Sequence, residues 1–146
     1  MPSPTCSVTF STHIPLKSEN LDEHQMHSEW CSISHTTFNR ILEQKVLGSK
    51  VWALGTTVTR TLESCAHGIL SKNQEGWVGD TNLFIRDNFE FKVVDNLLTN
   101  FHQPETTLLA LVASFAGLKN VQKTYAYAIE NRFRLFSYGD LTVWIR

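Results

Sequence analysis

The chain has 146 residues, 42% of them hydrophobic and 18% charged, with a formal net charge of −1. That length and apolar content suit one ordinary domain with a real core, and the near-neutral balance advertises no nucleic-acid or membrane partner, leaving a local basic patch as the only electrostatic footprint to look for. Three cysteines, Cys6, Cys31 and Cys65, with no C-x-x-C pair favour reduced thiols over a disulfide framework, and no stretch has the make-up of a signal peptide or a membrane span, so a soluble cytoplasmic protein is expected.

Residues 1–11 are rich in Pro, Ser and Thr and read as a frayed start with at most a short strand over 7–10. An Ile-Pro-Leu and an acidic turn follow, then HQMHSEW at 24–30. A strand over 28–33 would set His27, Glu29 and Cys31 on one face by alternation. A helix is expected over 37–46, closed by Gly48. The apolar strand 51–54 runs into Gly55-Thr56-Thr57, and a second helix over 59–66 carries Arg60 and Glu63 one turn apart. Segment 68–80 holds three glycines and no periodicity, which reads as a surface loop. A short strand over 83–85 leads into FKVVDNLLTNFHQPETTLLALVASFAG at 91–117. There Phe91, Val93, Val94, Leu97 and Leu98 read as a buried strand ended by Thr99, Asn100 and His102. Pro104 suits the first helical position and Glu105 the first turn, Leu108 to Ala116 recur at helical spacing, and Gly117 is the stop. A last helix over 121–132 would turn Tyr125, Ala128 and Ile129 inward, and RFRLFSYGDLTVWIR reads as two short strands around 137–140. This order of elements argues for an α/β fold with a mainly parallel sheet and right-handed crossovers, in which polar loops at the carboxyl ends of strands hold ligands.

Several groups have the chemistry for a site. His24, His27 and Glu29 resemble part of a zinc set without a second pair of ligands; proton transfer and simple turn-capping are the other readings. His102 lies between a strand and a helix N-terminus, where a neutral imidazole can act as base, or it is a satisfied structural histidine. Gly55-Thr56-Thr57 offers N–H and hydroxyl donors to an anionic or ribosyl group. Asp95 and Asp140 sit in apolar company and need partners, for which Arg60 and Arg132 are candidates. Tyr138-Gly139 reads equally as a plain turn.

Taken together, HQMHSEW, GTTVTRTLES, FKVVDNLLTNFHQPETTLLALVASFAG and FSYGD, in this order, resemble the S-adenosylmethionine:tRNA ribosyltransferase-isomerase family of queuosine biosynthesis. The likeness covers the C-terminal part of that family, whose members are more than twice as long. It implies a partial, distorted α/β barrel with helices outside, residues 14–146 forming the C-terminal part of the catalytic barrel and residues 1–13 a divergent segment. Val8, Thr9, Phe10, Ser11, Thr12 and His13 stand where the family has V-G-x-G-T-F, so both glycines are lost. The implied reaction moves the ribosyl part of S-adenosylmethionine onto preQ1 at the tRNA wobble position, giving epoxyqueuosine with release of adenine and methionine, and requires no metal. A sulfonium acidifies its neighbouring C–H, so His27 or His102 would be the base and Glu29 or Asp140 the acid for departing adenine. Gly55, Thr56, Thr57, Arg60, Thr99 and Asn100 would bind cosubstrate or RNA backbone, and Phe101 or Tyr138 would stack a base. The implied partners are preQ1-containing tRNA and either a complementing N-terminal chain or a second copy, because half a barrel leaves open edges and uncovered apolar surface. Two rivals stand beside this reading: a non-catalytic remnant or binding module of the same family, and a metal-dependent hydrolase built on His24, His27 and Glu29.

Overall fold

The computed structural model describes residues 7–8 and 28–146, with the side chains of 7, 8 and 138 outside the description. The expectations for His24, His27 and the segment 9–13 therefore lie outside the described residues.

Two small sheets share one core. In the first, β1 (Ser7–Val8), β2 (Glu29–Ser34), β4 (Ser71–Lys72) and β5 (Gly76–Thr81) pair antiparallel in the order β1-β2-β5-β4. The β4–β5 hairpin occupies the segment expected to be a loop. Gly76 marks a close backbone approach: a Cβ there would stand 2.0 Å from the Ile33 carbonyl oxygen of β2. The turn is made by the Asn73 side chain, which accepts from the N–H groups of Glu75 and Gly76, each at 2.9 Å. Helix α1 (His35–Val46) starts two residues earlier than its periodicity suggested, because Ser34 Oγ accepts the Thr37 N–H at 3.1 Å and caps it. It packs on this sheet through Phe38, whose ring meets Trp77 edge-on at 4.8 Å.

The second sheet has the order β3-β6-β7, from β3 (Trp52–Leu54), β6 (Asn96–Asn100) and β7 (Leu141–Ile145); β3 runs parallel to β6 and β7 antiparallel to it. Helix α2 (Thr56–Ala66) crosses between the sheets, and α3 (Thr107–Ala116) and α4 (Leu118–Glu130) complete the described helices. Several boundaries depart from the sequence pattern for local reasons. Strand β6 continues through Thr99 and Asn100, and residues 91–95, expected in that strand, form an irregular segment. Residues 83–85 form no strand, although Ile85 is buried. Helix α3 waits for Thr106, whose Oγ1 accepts the Leu109 N–H at 3.3 Å, leaving Pro104 and Glu105 before it. At the C-terminus one strand forms rather than two, since Phe136 takes φ 66° and opens a 3₁₀ turn over Phe136–Tyr138. On α4, Val121 and Ala128 are buried whereas Ile129 is 65% exposed.

The two faces of the second sheet differ. Ala53, Leu97, Thr99, Thr142 and Trp144 face the core. On the other face the registers Leu54–Leu98–Val143, Trp52–Asn96–Ile145 and Asn100–Leu141 bring five large apolar residues together in the open, Ile145 at 72% exposure. No described element packs there, and β3 and β7 both end as sheet edges.

Candidate functional site

The parallel strands β3 and β6 end side by side, and their polar ends are tied together. Gly55, directly after β3, donates its N–H to the Leu98 carbonyl of β6 at 2.7 Å. It holds φ 95°, a conformation that a side chain disfavours, and this turn starts α2. No side chain caps α2. The Gly55 carbonyl is occupied by Thr59 N–H and Oγ1, at 3.2 and 3.1 Å, which fixes the first turn and leaves Thr56 and Thr57 at the positive end of the helix dipole.

Across from this turn, Thr99 and His102 form the matching end of β6. Thr99 Oγ1 and His102 Nε2 share a hydrogen bond of 2.9 Å. The strand behind them supports that pair: Trp144 Nε1 donates to Thr142 Oγ1, which donates to the Thr99 carbonyl, each at 2.9 Å. From the helix side, the Tyr125 hydroxyl accepts the His102 N–H at 2.7 Å. Burial pushes the Tyr125 hydroxyl above its ordinary pKa, against the opposing pull of that same N–H. Tyr125 has no sequence signal as a site residue, because its partner lies 23 positions away.

Arg60 and Glu29, expected as ligand-binding and acidic groups, bond to each other. Arg60 Nη1 donates to Glu29 Oε2, while Nε and Nη2 reach the carbonyls of Leu83 and Thr81 at 3.1 and 3.4 Å. With 3% exposure, Arg60 fastens β2 and the 81–83 segment to the first turns of α2. Glu63 does not pair with it one turn away. Its carboxylate is fully buried and accepts the N–H groups of Lys92, Val93 and Val94 at 2.9, 3.0 and 2.9 Å. That clamp shapes residues 91–95 and delivers the chain to β6. The Cys31 thiol beside this region is pushed up by burial, only partly offset by its bond to Thr61 and the charge of Arg60.

The two unassigned aspartates find partners other than Arg60 and Arg132. Asp95 accepts from Lys45 Nζ at 2.7 Å and from the Val51 N–H at 2.9 Å. Burial by itself would raise its carboxyl, but these two bonds and the charges of Lys45 and Lys50 outweigh it and hold the group below its ordinary range. Asp140 accepts the Arg134 N–H at 2.8 Å and an Arg134 guanidinium N–H at 3.1 Å, and these bonds hold its carboxyl low. An ionised carboxylate has no proton to give, so the geometry makes Asp140 the pin of the 134–140 turn. Phe101 is 3% exposed, with Tyr125 and Phe133 edge-on at 5.0 and 6.4 Å, so its ring faces are taken by the core rather than offered to a base. Asn100 projects onto the uncovered side and makes no side-chain hydrogen bond to a described residue. Among the described residues no group of three or more His, Cys, Asp or Glu is placed to hold a metal ion.

Gly55, Thr56 and Thr57 thus lie at the carboxyl end of β3 beside the Thr99–His102 pair at the end of β6, with Asn100 on the opposite face of that strand and Arg60, one turn along α2, bonded to Glu29 of β2. The arrangement is one of two small sheets and four helices in which backbone donors, hydroxyls and one imidazole lie at the carboxyl ends of β3 and β6. The chain belongs to the family described as Queuosine biosynthesis protein, whose pattern matches residues 4–144. It is 45% identical over 136 residues to the S-adenosylmethionine:tRNA ribosyltransferase-isomerase of Acinetobacter baumannii, covering 93% of this chain and 39% of the relative. The protein of the same name from Psychrobacter cryohalolentis is 47% identical over 138 residues, with 93% and 34% covered. The crystal structure of S-adenosylmethionine tRNA ribosyltransferase from Thermotoga maritima matches at a TM-score of 0.73 and 44% identity, covering 80% of this chain and 40% of that one. The chain therefore spans well under half the length of the relatives it matches.

Proposed function

We propose that this chain forms the C-terminal part of an S-adenosylmethionine:tRNA ribosyltransferase-isomerase and acts in tRNA modification when the rest of the catalytic domain is supplied. The observation that carries the reading is the convergence of the Gly55 turn and the Thr99–His102 pair at one end of β3 and β6. Uncapped N–H groups at the start of α2 suit a carboxylate or ribose hydroxyl, and Asn100 adds a donor and an acceptor, so the residues fit S-adenosylmethionine as cosubstrate. His102, oriented by Thr99 and Tyr125, is the base; Glu29, held by Arg60, positions the first turns of α2. The wobble-position preQ1 of tRNA is the acceptor. The two open sheet edges and the bare apolar face support a sheet that another segment continues and closes, as a partial α/β barrel requires.

The test is complementation. This chain, co-expressed with the N-terminal portion of a full-length relative, is incubated with S-adenosylmethionine and preQ1-containing tRNA, and adenine release is followed. Release is expected from the pair, with a loss of about 10²–10⁴-fold for His102→Ala, the range for a general base. Normal turnover by His102→Ala would overturn the base assignment. A well-folded pair that binds S-adenosylmethionine and releases no adenine would replace the enzymatic reading with that of a binding remnant.

A further inference from the structure

The near-neutral total charge hides an asymmetry. Residues 117–146 carry five lysines and arginines against two acidic residues, net +3, whereas residues 1–116 carry eight against twelve, net −4. We propose that the exposed flank of α4, continued through residues 131–136 and joined by Arg146, is a docking surface for a single-stranded RNA loop. This rests on the reading of the chain as part of a tRNA-modifying enzyme and names the face that meets the RNA.

Two chemistries lie along this flank. Lys119 and Lys123 are exposed on α4, with Glu130 three turns along the same face, and Arg132 follows the helix end; from Lys119 to Glu130 the helix advances about 17 Å, the span of a few nucleotides. Lys123 also lines a cavity of about 340 Å³ with Thr124, Trp144 and Arg146. The Arg146 guanidinium is held over the rings of Phe91 and Phe115, at 5.2 and 5.3 Å, which fixes its charge in that cavity. At the far end Phe133 and Phe136 are each 39% exposed, unlike the buried Phe101. Cations along a ridge neutralise phosphates and exposed rings stack unpaired bases; an acidic protein would use the first set and leave the second idle. The ridge is joined to the site, since Tyr125 on α4 holds the His102 N–H. An RNA loop lying along α4 would be led towards the end of β6.

The experiment measures binding of a fluorescent RNA hairpin with a seven-nucleotide loop, and of a fully paired RNA of equal length, to this chain by anisotropy across a salt series. The hairpin should bind more tightly than the duplex. Lys119→Glu/Lys123→Glu/Arg132→Glu should weaken both at least tenfold and flatten the log–log salt slope by about two to three. Phe133→Ala/Phe136→Ala should weaken the hairpin alone with the slope unchanged, and Lys72→Glu on the other sheet should change nothing. Circular dichroism and thermal melts confirm that each exposed-site variant is folded. Absence of RNA binding, or an unchanged affinity in the triple variant, overturns the proposal, as does a phenylalanine effect equal on hairpin and duplex. The complementation assay separates the two readings: adenine release with unaltered RNA affinity in these variants rejects this surface and leaves the enzyme, whereas loss of hairpin affinity without adenine release in the parent pair keeps the surface and rejects the enzyme.

Discussion

The two faces of the β3-β6-β7 sheet carry side chains in the reverse of the usual order. On β7 the residues turned to the core are Thr142 and Trp144, while Leu141, Val143 and Ile145 face out. The covered face accommodates its polar groups through hydrogen bonds: Trp144 to Thr142, Thr142 to the Thr99 carbonyl, and Thr99 to His102. The bare face is the more hydrophobic of the two. A sheet apolar on both sides is one that folds between two layers, and among the described residues only one of them is present. The covered face is therefore where stability resides in the described chain, and the bare face is where the proposed completion of the sheet would act.

The strongest way to break this division is at Glu63. Its carboxylate answers three backbone N–H groups in the segment that feeds β6, and truncation leaves those of Val93 and Val94 buried and unpaired and that of Lys92 partly so. Glu63→Ala is expected to cost about 3–5 kcal/mol, enough to unfold a domain of ordinary stability, measured by urea titration. Leu97→Ala on the covered face, fully buried, is expected to cost about 2–5 kcal/mol by the same measurement. A loss below 1 kcal/mol at either position would remove the covered face from its supporting role.

Much of this was legible in the letters, and the failures have physical reasons. The strand–polar loop–helix units at 51–66 and 91–117 were readable from periodicity, although the second strand starts at Asn96 rather than Phe91, and the turn at Gly55 was readable from its residue type. A strand after 140 was expected, but which of its faces is covered is not readable from its own residues, because coverage depends on elements far away in sequence. The hydrogen-bond partners of Arg60, Glu63, Asp95 and Tyr125 were invisible for the same reason: each is between 21 and 50 residues distant, and opposite charges one turn apart suggested Arg60–Glu63 instead. Glycines in 68–80 signalled a loop, whereas Gly76 permits β5 to pass against β2.

Smaller effects sharpen the link between the covered face and the strand-end site. Gly55→Ala meets open space, so its cost is the positive φ alone, about 1–2 kcal/mol. Because that turn aims the start of α2, S-adenosylmethionine affinity in the complemented enzyme should fall further than stability does. Asp95→Asn weakens the bonds from Lys45 and Val51 and should cost about 1 kcal/mol at pH 7. The folded Asp95 carboxyl lies below its unfolded value, so its contribution is present above the ordinary carboxylate pKa of about 3.9 and disappears as pH falls through the folded value. Urea midpoints of parent and variant should accordingly differ at pH 7 and converge at acidic pH; a constant gap would separate Asp95 from the acid sensitivity of the fold.

The smallest stability change belongs to the bare face. Leu54 and Val143 flank Leu98 there, exposed at 66% and 51%, and threonine at both keeps strand preference while removing apolar surface. Leu54→Thr/Val143→Thr should shift the urea midpoint by no more than the equivalent of about 0.5 kcal/mol, as surface substitutions do. On a sizing column the parent should elute as an associated species, driven by uncovered apolar area, and the double variant closer to a monomer. With the N-terminal portion of a relative present, the order reverses: the parent should pair and the variant should pair more weakly, since the surface lost is the one that the added layer buries. A parent chain that elutes as a compact monomer and pairs no better than the variant would mean that this face is ordinary surface, and the asymmetry of the sheet would then need no second layer to explain it.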